Sequence, residues 1–208
     1  VDEAQGYTPL MVGLDDSYLG TITVADTVRD SSRAVISQLK SLGMKTIVML
    51  TGDSRVTAEQ VGDQLGVTDV RYELMPQNKV TVVQELQVQN GPVVMVGDGI
   101  NDAPALATAD VGIAVGGASK PSQAMETADI TLMDDSIDRL PFAVSLSQAT
   151  MRTIRVNVAL SIGIKIIFLI LVLLGLGTMW MAVLADMGTS VLVTLTGMRL
   201  LNKKPESY

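Results

Sequence analysis

The sequence predicts an α/β protein with a Rossmann-like parallel sheet, followed by a two-helix transmembrane hairpin. Three observations carry this reading. Short apolar runs alternate with segments of helical periodicity up to about Thr150. A glycine- and aspartate-rich loop, Gly97-Asp98-Gly99-Ile100-Asn101-Asp102, follows directly on the apolar run 92–96. After Arg155 two long apolar stretches carry almost no charge. Repeated strand-helix units imply parallel strands with ligands at their carboxyl ends, and apolar stretches of about 20 residues match a bilayer core.

The elements follow in order. The runs Met11-Val12-Gly13-Leu14 and Leu19-Gly20-Thr21-Ile22-Thr23-Val24 flank the turn Asp15-Asp16-Ser17-Tyr18, the pattern of a hairpin. Asp30-Ser31-Ser32 offers an N-cap to a helix whose Val35, Ile36 and Leu39 share one face, and Gly43 closes it. Residues 46–50 form a short buried strand that ends at Thr51-Gly52-Asp53. A helix through Ala58, Val61 and Leu65 stops near Gly66, and one through Val80, Val83 and Leu86 stops at Asn90-Gly91. The run 92–96 then enters the Gly97–Asp102 loop, where glycines allow a sharp turn and close approach of the backbone to a ligand. Asp98 and Asp102 there are suited to Mg²⁺, a hard cation that takes one or two carboxylates together with phosphate oxygens.

Composition removes several functional classes. The 208 residues carry a formal net charge of -7, the opposite of the basic face a nucleic-acid binder shows. There are no cysteines and no histidines, so within this chain there is no disulfide framework, thiolate or imidazole metal centre, or His-assisted nucleophile. Acid-base and charge-neutralising work falls to Asp, Glu and Lys.

Residues 157–176 span about 30 Å as a helix, the thickness of the hydrocarbon core. Gly175-Leu176-Gly177-Thr178 breaks this run, and a second extends from Met179 to about Leu201. Arg152 and Arg155 precede the first run, Arg199, Lys203 and Lys204 close the second, and the link between them is uncharged. Both ends are therefore expected on the cytoplasmic side. A secretory signal is not predicted, because the apolar segments sit at the wrong end. Trp180 lies where aromatic rings anchor at an interface. Lys165 and Asp186 fall roughly 16 and 12 Å from the outer face, near mid-bilayer on adjacent antiparallel helices. Each would cost about 2.5–3.5 kcal/mol or more facing lipid. They are expected to approach each other or share a polar cavity, either as a pair that fixes register or as part of an ion pathway.

The order of motifs carries a resemblance. Thr51-Gly52-Asp53, Lys79, Gly97-Asp98-Gly99-Ile100-Asn101-Asp102-Ala103-Pro104-Ala105-Leu106 and Ala109-Asp110-Val111-Gly112-Ile113-Ala114-Val115-Gly116 resemble the phosphorylation domain of P-type ATPases, members of the haloacid-dehalogenase-like superfamily. The likeness covers nearly the whole chain. It implies that residues 1–25 close a nucleotide-binding domain and its hinge, 26–150 form the C-terminal part of the phosphorylation domain, 151–202 form two membrane helices, and 203–208 are a cytoplasmic tail. It also implies ATP and Mg²⁺ as cofactors. Thr51 and Gly52 would hold phosphoryl oxygens, Asp53 would organise nucleotide or phosphate, and Lys79 would neutralise the phosphoaspartate. Asp98 would bind Mg²⁺, with Asn101 and Asp102 completing the phosphate and metal surroundings.

The hairpin sequences around Lys165 and Asp186 look like the last two helices of zinc/cadmium/lead exporters. This implies Asp186 as a ligand of a divalent heavy-metal ion, Lys165 as its counter-charge, and a bacterial-type plasma membrane. Two positions depart from the pattern: Thr196 stands where relatives commonly have Asn, and Gln123 where an acidic residue is usual. The Asp-Lys-Thr-Gly-Thr nucleophile motif does not occur in the sequence. The chain is therefore expected to be the C-terminal part of a longer pump, inactive alone and dependent on the remaining nucleotide, actuator and membrane segments. Two other readings stand beside it. One is a small phosphatase with Asp26 as nucleophile, although Val28 occupies the place of the acid-base Asp. The other is a non-catalytic membrane fragment that binds a partner.

Overall fold

The computed structural model describes residues 7–15, 17–25, 28, 30–97, 100–116, 126–133 and 136–202. The chain divides into two compact units, 1–139 and 140–208.

The first unit opens with an antiparallel hairpin, β1 (Tyr7–Leu14) and β2 (Ser17–Ala25). Its turn is tighter than the sequence suggests, since Ser17 and Tyr18 already pair with Leu14 and Gly13. Asp15 tolerates the left-handed conformation that the turn requires (φ 52°). Met11, Leu14, Tyr18, Leu19 and Ile22 are all exposed along this ribbon.

The α/β part follows: α1 (Asp30–Ser41), β3 (Val48–Leu50), α2 (Arg55–Leu65), β4 (Asp69–Arg71), α3 (Pro76–Asn90), β5 (Val94–Gly97), α4 (Ala103–Thr108), β6 (Val111–Val115) and β7 (Ile130–Leu132). The helix stops fall at the glycines the sequence marks. Gly43, Gly66 and Gly91 all have positive φ, and Gly66 returns its N–H to the carbonyls of Gly62 and Asp63 in the last turn of α2. Among the described residues all pairings in this part are parallel: β3 with β4, and β5 with β6 and β6 with β7. The core beneath β5 and β6 is formed by Val83 of α3, Met95, Ala105 and Leu106 of α4, and Ala114, with Leu50 of β3 packed against it.

Two strands begin later than expected, for identifiable reasons. Pro92 has no N–H, and Val93 gives its N–H to the Asp110 carboxylate (2.8 Å) rather than to a ladder, so β5 starts at Val94. Ile47 gives its N–H to the Thr68 hydroxyl (3.1 Å), so β3 starts at Val48.

The second unit holds α5 (Leu140–Leu173) and α6 (Met179–Met198), joined by a link whose Gly175 is left-handed. Thr178 caps α6, its hydroxyl accepting from Met181 N (3.4 Å). At 34 residues α5 is much longer than its apolar run, because Arg152 and Arg155 interrupt the apolarity without interrupting the helix. Both helices are long and apolar enough to cross a membrane, and most of their large apolar side chains are exposed. Trp180 is exposed in the first turn of α6.

Candidate active site

Two loops at the carboxyl ends of parallel strands carry the site. The first follows β3. The Thr51 hydroxyl donates to Asp53 Oδ2 (2.6 Å) and accepts from Asp53 N (3.1 Å), closing a small polar ring around Gly52. The next crossover holds this ring in place. Thr51 N donates to Arg71 O (2.9 Å), Glu73 N to Asp53 O (2.9 Å) and Leu74 N to Thr51 O (3.0 Å). Glu73 takes a left-handed conformation to do so (φ 53°). Arg55, beyond the loop, lies over the Tyr72 ring at 5.7 Å and pairs with Glu59 at 2.8 Å. Its guanidinium pKa is raised, first by the hydrogen bond to Glu59 and then by that carboxylate's charge.

The second loop follows β5. Lys79 lies in the first turn of α3, where Pro76 suits the helix start and Asn78 Oδ1 accepts from Met75 N (3.1 Å). Lys79 Nζ donates to Asp102 Oδ1 at 2.7 Å, with only 16% and 13% of the two side chains exposed. Asp102 ends the 3-10 turn Ile100–Asp102, directly before α4. Gly97 permits this approach: a Cβ there would lie 2.8 Å from Asp102 Cβ and 2.9 Å from its Oδ2. Gly112 likewise lets α4 settle on β6, since a Cβ there would lie 2.7 Å from Leu106 O.

The structure thus joins Lys79 to Asp102 and Thr51 to Asp53, and leaves Asn101 exposed beside Asp102. Asp98, like Asp26 and Gln123, lies outside the described residues. Among the described residues no three acidic side chains cluster as a metal site. The donors at hand, Asp102 with its second oxygen beside Gly97, are hard oxygens of the kind Mg²⁺ takes.

Asp110 is a structural residue that the sequence does not single out beyond its motif. Its carboxylate accepts from Val93 N (2.8 Å) and Gln87 Nε2 (3.0 Å), tying the end of α3 to the entry of β5. The Val93 hydrogen bond, then that of Gln87, hold its pKa below the usual carboxylate range. The nearest sequence signal is its place between α4 and β6, but its partners are remote in the chain.

In the second unit Lys165 Nζ stands 3.8 Å from Asp186 Oδ1, so the two charges do meet. They meet on an open face, with 69% and 68% of the side chains exposed, rather than in a closed cavity. A series of hydroxyls runs along α6. Thr189, Ser190, Thr194 and Thr196 donate to the carbonyls of Ala185, Asp186, Ser190 and Leu192.

A family model described as haloacid dehalogenase-like hydrolase matches residues 2–110, and the chain belongs to that family. It is 50% identical over 200 residues, 96% of its length, to a probable cadmium-transporting ATPase of Staphylococcus aureus (strain MRSA252), of which it covers 27%. It is 42% identical to the zinc/cadmium/lead-transporting P-type ATPase of Escherichia coli (strain K12), with 97% of this chain and 27% of that protein aligned. A crystal structure of a zinc-transporting PIB-type ATPase in its E2.Pi state superposes with a TM-score of 0.84 at 42% identity, covering 96% of this chain and 32% of that one. The chain therefore spans little more than a quarter of the curated relatives it matches.

Proposed function

We propose that this chain is the catalytic-domain remainder and final membrane hairpin of an ATP-driven exporter of a divalent heavy-metal cation (Zn²⁺, Cd²⁺ or Pb²⁺). It works through a phosphoaspartate whose nucleophile lies outside residues 1–208. The division into nucleotide-domain end and hinge (1–25), phosphorylation domain (26–150), membrane helices (151–202) and tail (203–208) belongs to this reading. So do a bacterial-type plasma membrane and the cytoplasmic placement of both hairpin ends.

The observation that carries the proposal is the nearly buried Lys79–Asp102 pair at the carboxyl end of β5. Phosphoryl transfer asks the protein mainly for position and charge neutralisation. In this reading the backbone of Gly52 donates to phosphoryl oxygens, and the Thr51 hydroxyl, whose proton goes to Asp53 in this structure, turns that proton to the phosphoryl group. Lys79 is a compact point charge whose stem is fixed by α3, and it neutralises charge on the acyl phosphate. Asp98 and Asp102 would hold Mg²⁺, which when bound supplies further positive charge to the phosphate. Among the described residues β3 pairs only with β4 and β5 only with β6, so each has an unpaired edge. A strand from the remainder of the pump would complete the sheet and bring the nucleophile to Thr51 and Lys79. On the membrane side Asp186 offers a hard ligand to the cation, and Lys165 is its counter-charge when the site is empty.

The phosphatase alternative requires β2, the strand that precedes Asp26 in the sequence, to lie in the parallel sheet. Among the described residues β2 pairs only antiparallel with β1.

The test is phosphoenzyme trapping in the intact protein. With radiolabelled ATP and Mg²⁺ it should form an acid-stable, hydroxylamine-sensitive phosphoprotein, and Lys79→Met should reduce the label by about tenfold or more, as loss of a transition-state charge donor does. No label in wild type, or full label in Lys79→Met, contradicts the proposal.

A further inference from the structure

The proposed transport chemistry leaves one feature of the second unit unused. Residues 140–202 hold the cations Arg152, Arg155, Lys165 and Arg199 and a single anion, Asp186, which Lys165 already faces. A chain of net charge -7 thus presents three unneutralised arginines on its membrane hairpin. Among the described residues none of the three has a carboxylate partner, and all are exposed.

Their depth is informative. The apolar stretch 156–173 of α5 rises about 27 Å, close to the hydrocarbon thickness of about 30 Å. Arg155 stands at its edge and Arg152 about 4.5 Å further out. The headgroup layer of one leaflet is about 5–8 Å thick, so both guanidinium groups fall within it. Arg199 follows directly on α6, and its 3-10 turn Arg199–Asn202 packs back against α5, which puts it at the same end of the hairpin. A shallow groove on α5 joins the layers. Arg152 and Arg155 line it together with apolar Met151 and Val156, and with Ser147 and Gln148 one turn further from the apolar stretch.

We propose that this groove binds an anionic phospholipid. Arg152 and Arg155 hold its phosphate through paired N–H donors, and Arg199 adds to the positive field from α6. The acyl chains run along Val156 and down the apolar face of α5. Hydroxyls of the headgroup reach the level of Ser147 and Gln148. Arginine suits this role because its planar fork matches phosphate oxygens and is weakly hydrated. The Met151 and Val156 surface distinguishes a lipid from a free phosphate, which would gain nothing from apolar contact. Basic pockets beside membrane helices are a recurrent form of anionic-lipid recognition. The proposal rests on α5 crossing a membrane and not on which cation is carried.

Native mass spectrometry of the intact protein in neutral detergent tests it, with phosphatidylglycerol, phosphatidylcholine and soluble glycerol phosphate as probes. Each arginine near the surface contributes a factor of about five, so wild type should retain phosphatidylglycerol at least about tenfold over phosphatidylcholine. In R152Q/R155Q that preference should fall to about twofold or less, whereas R33Q/K45Q, with the same charge change in the first unit, should keep it. Unchanged helical circular dichroism in both variants separates loss of the site from loss of fold. Equal retention of both lipids, a preference that survives R152Q/R155Q, or glycerol phosphate competing as well as the lipid overturns the proposal. A protein that stays soluble without detergent would instead contradict the membrane reading itself.

Discussion

Lys79 and Asp102 show how much one pair can decide. Each side chain is largely removed from water, and either without the other would leave a charge poorly solvated, a situation that costs about 3–5 kcal/mol in buried pairs. The pair therefore clamps α3 to the turn before α4, and in the proposed site it would hold the Lys79 ammonium at a fixed place. Asp110 works differently, since it is exposed and bound by neutral N–H donors. Its folded pKa is depressed, so its contribution to stability is present above the unfolded carboxylate value of about 3.9 and is lost as pH falls through the folded value. Asp110→Asn should lower the thermal midpoint of the 208-residue chain in micelles by a constant margin above about pH 5. The margin should shrink below about pH 4, as the wild-type carboxyl takes up its proton. A margin that widens in acid would show that the carboxylate is not the stabilising form.

At the scale of elements, glycines place the site as much as the charged residues do. A methyl group at Gly97 would sit inside van der Waals contact with Asp102, so Gly97→Ala must push the Ile100–Asp102 turn away from β5. Overpacking of this kind costs about 1–3 kcal/mol. The variant should unfold at a lower temperature and lose hydrogen-exchange protection at Ala103 and Leu106; protection equal to wild type would mean that the turn does not depend on Gly97. The sequence made much of this legible, because helix stops at Gly43, Gly66 and Gly91 and the strand-to-loop transition at Gly97 are local signals. What escaped it were choices made by distant partners. Val93 leaves the strand because Asp110 claims its N–H, and Ile47 does so because Thr68 is near. Glu73 and Leu74 brace the Thr51 loop through backbone atoms, which no side-chain pattern announces. The extension of α5 back to Leu140 was hidden for another reason: polarity changes along that helix while its backbone does not.

Across the whole molecule, both proposed sites would be half finished within residues 1–208. The first unit carries the proposed phosphate loops at the ends of β3 and β5, strands of two separate sheets that each have an unpaired edge among the described residues. The second presents a Lys165–Asp186 pair at 3.8 Å on a face still largely exposed. Depth along the helices foretold that the charges would meet, but not that they would meet on an exposed face. Both gaps have the same explanation if the chain is completed by the rest of a pump, in line with its coverage of 27% of the Staphylococcus aureus relative. The claim that joins them is that Asp186 is a ligand of the carried cation and thereby controls turnover at the phosphorylation site. The most direct measurement is cation-stimulated ATP hydrolysis by the intact protein in membranes, wild type beside Asp186→Ala. Zn²⁺ or Cd²⁺ should stimulate hydrolysis in wild type, and the stimulation should disappear in Asp186→Ala. Stimulation by Cu⁺ instead, or a variant that keeps its Zn²⁺ response, would contradict it.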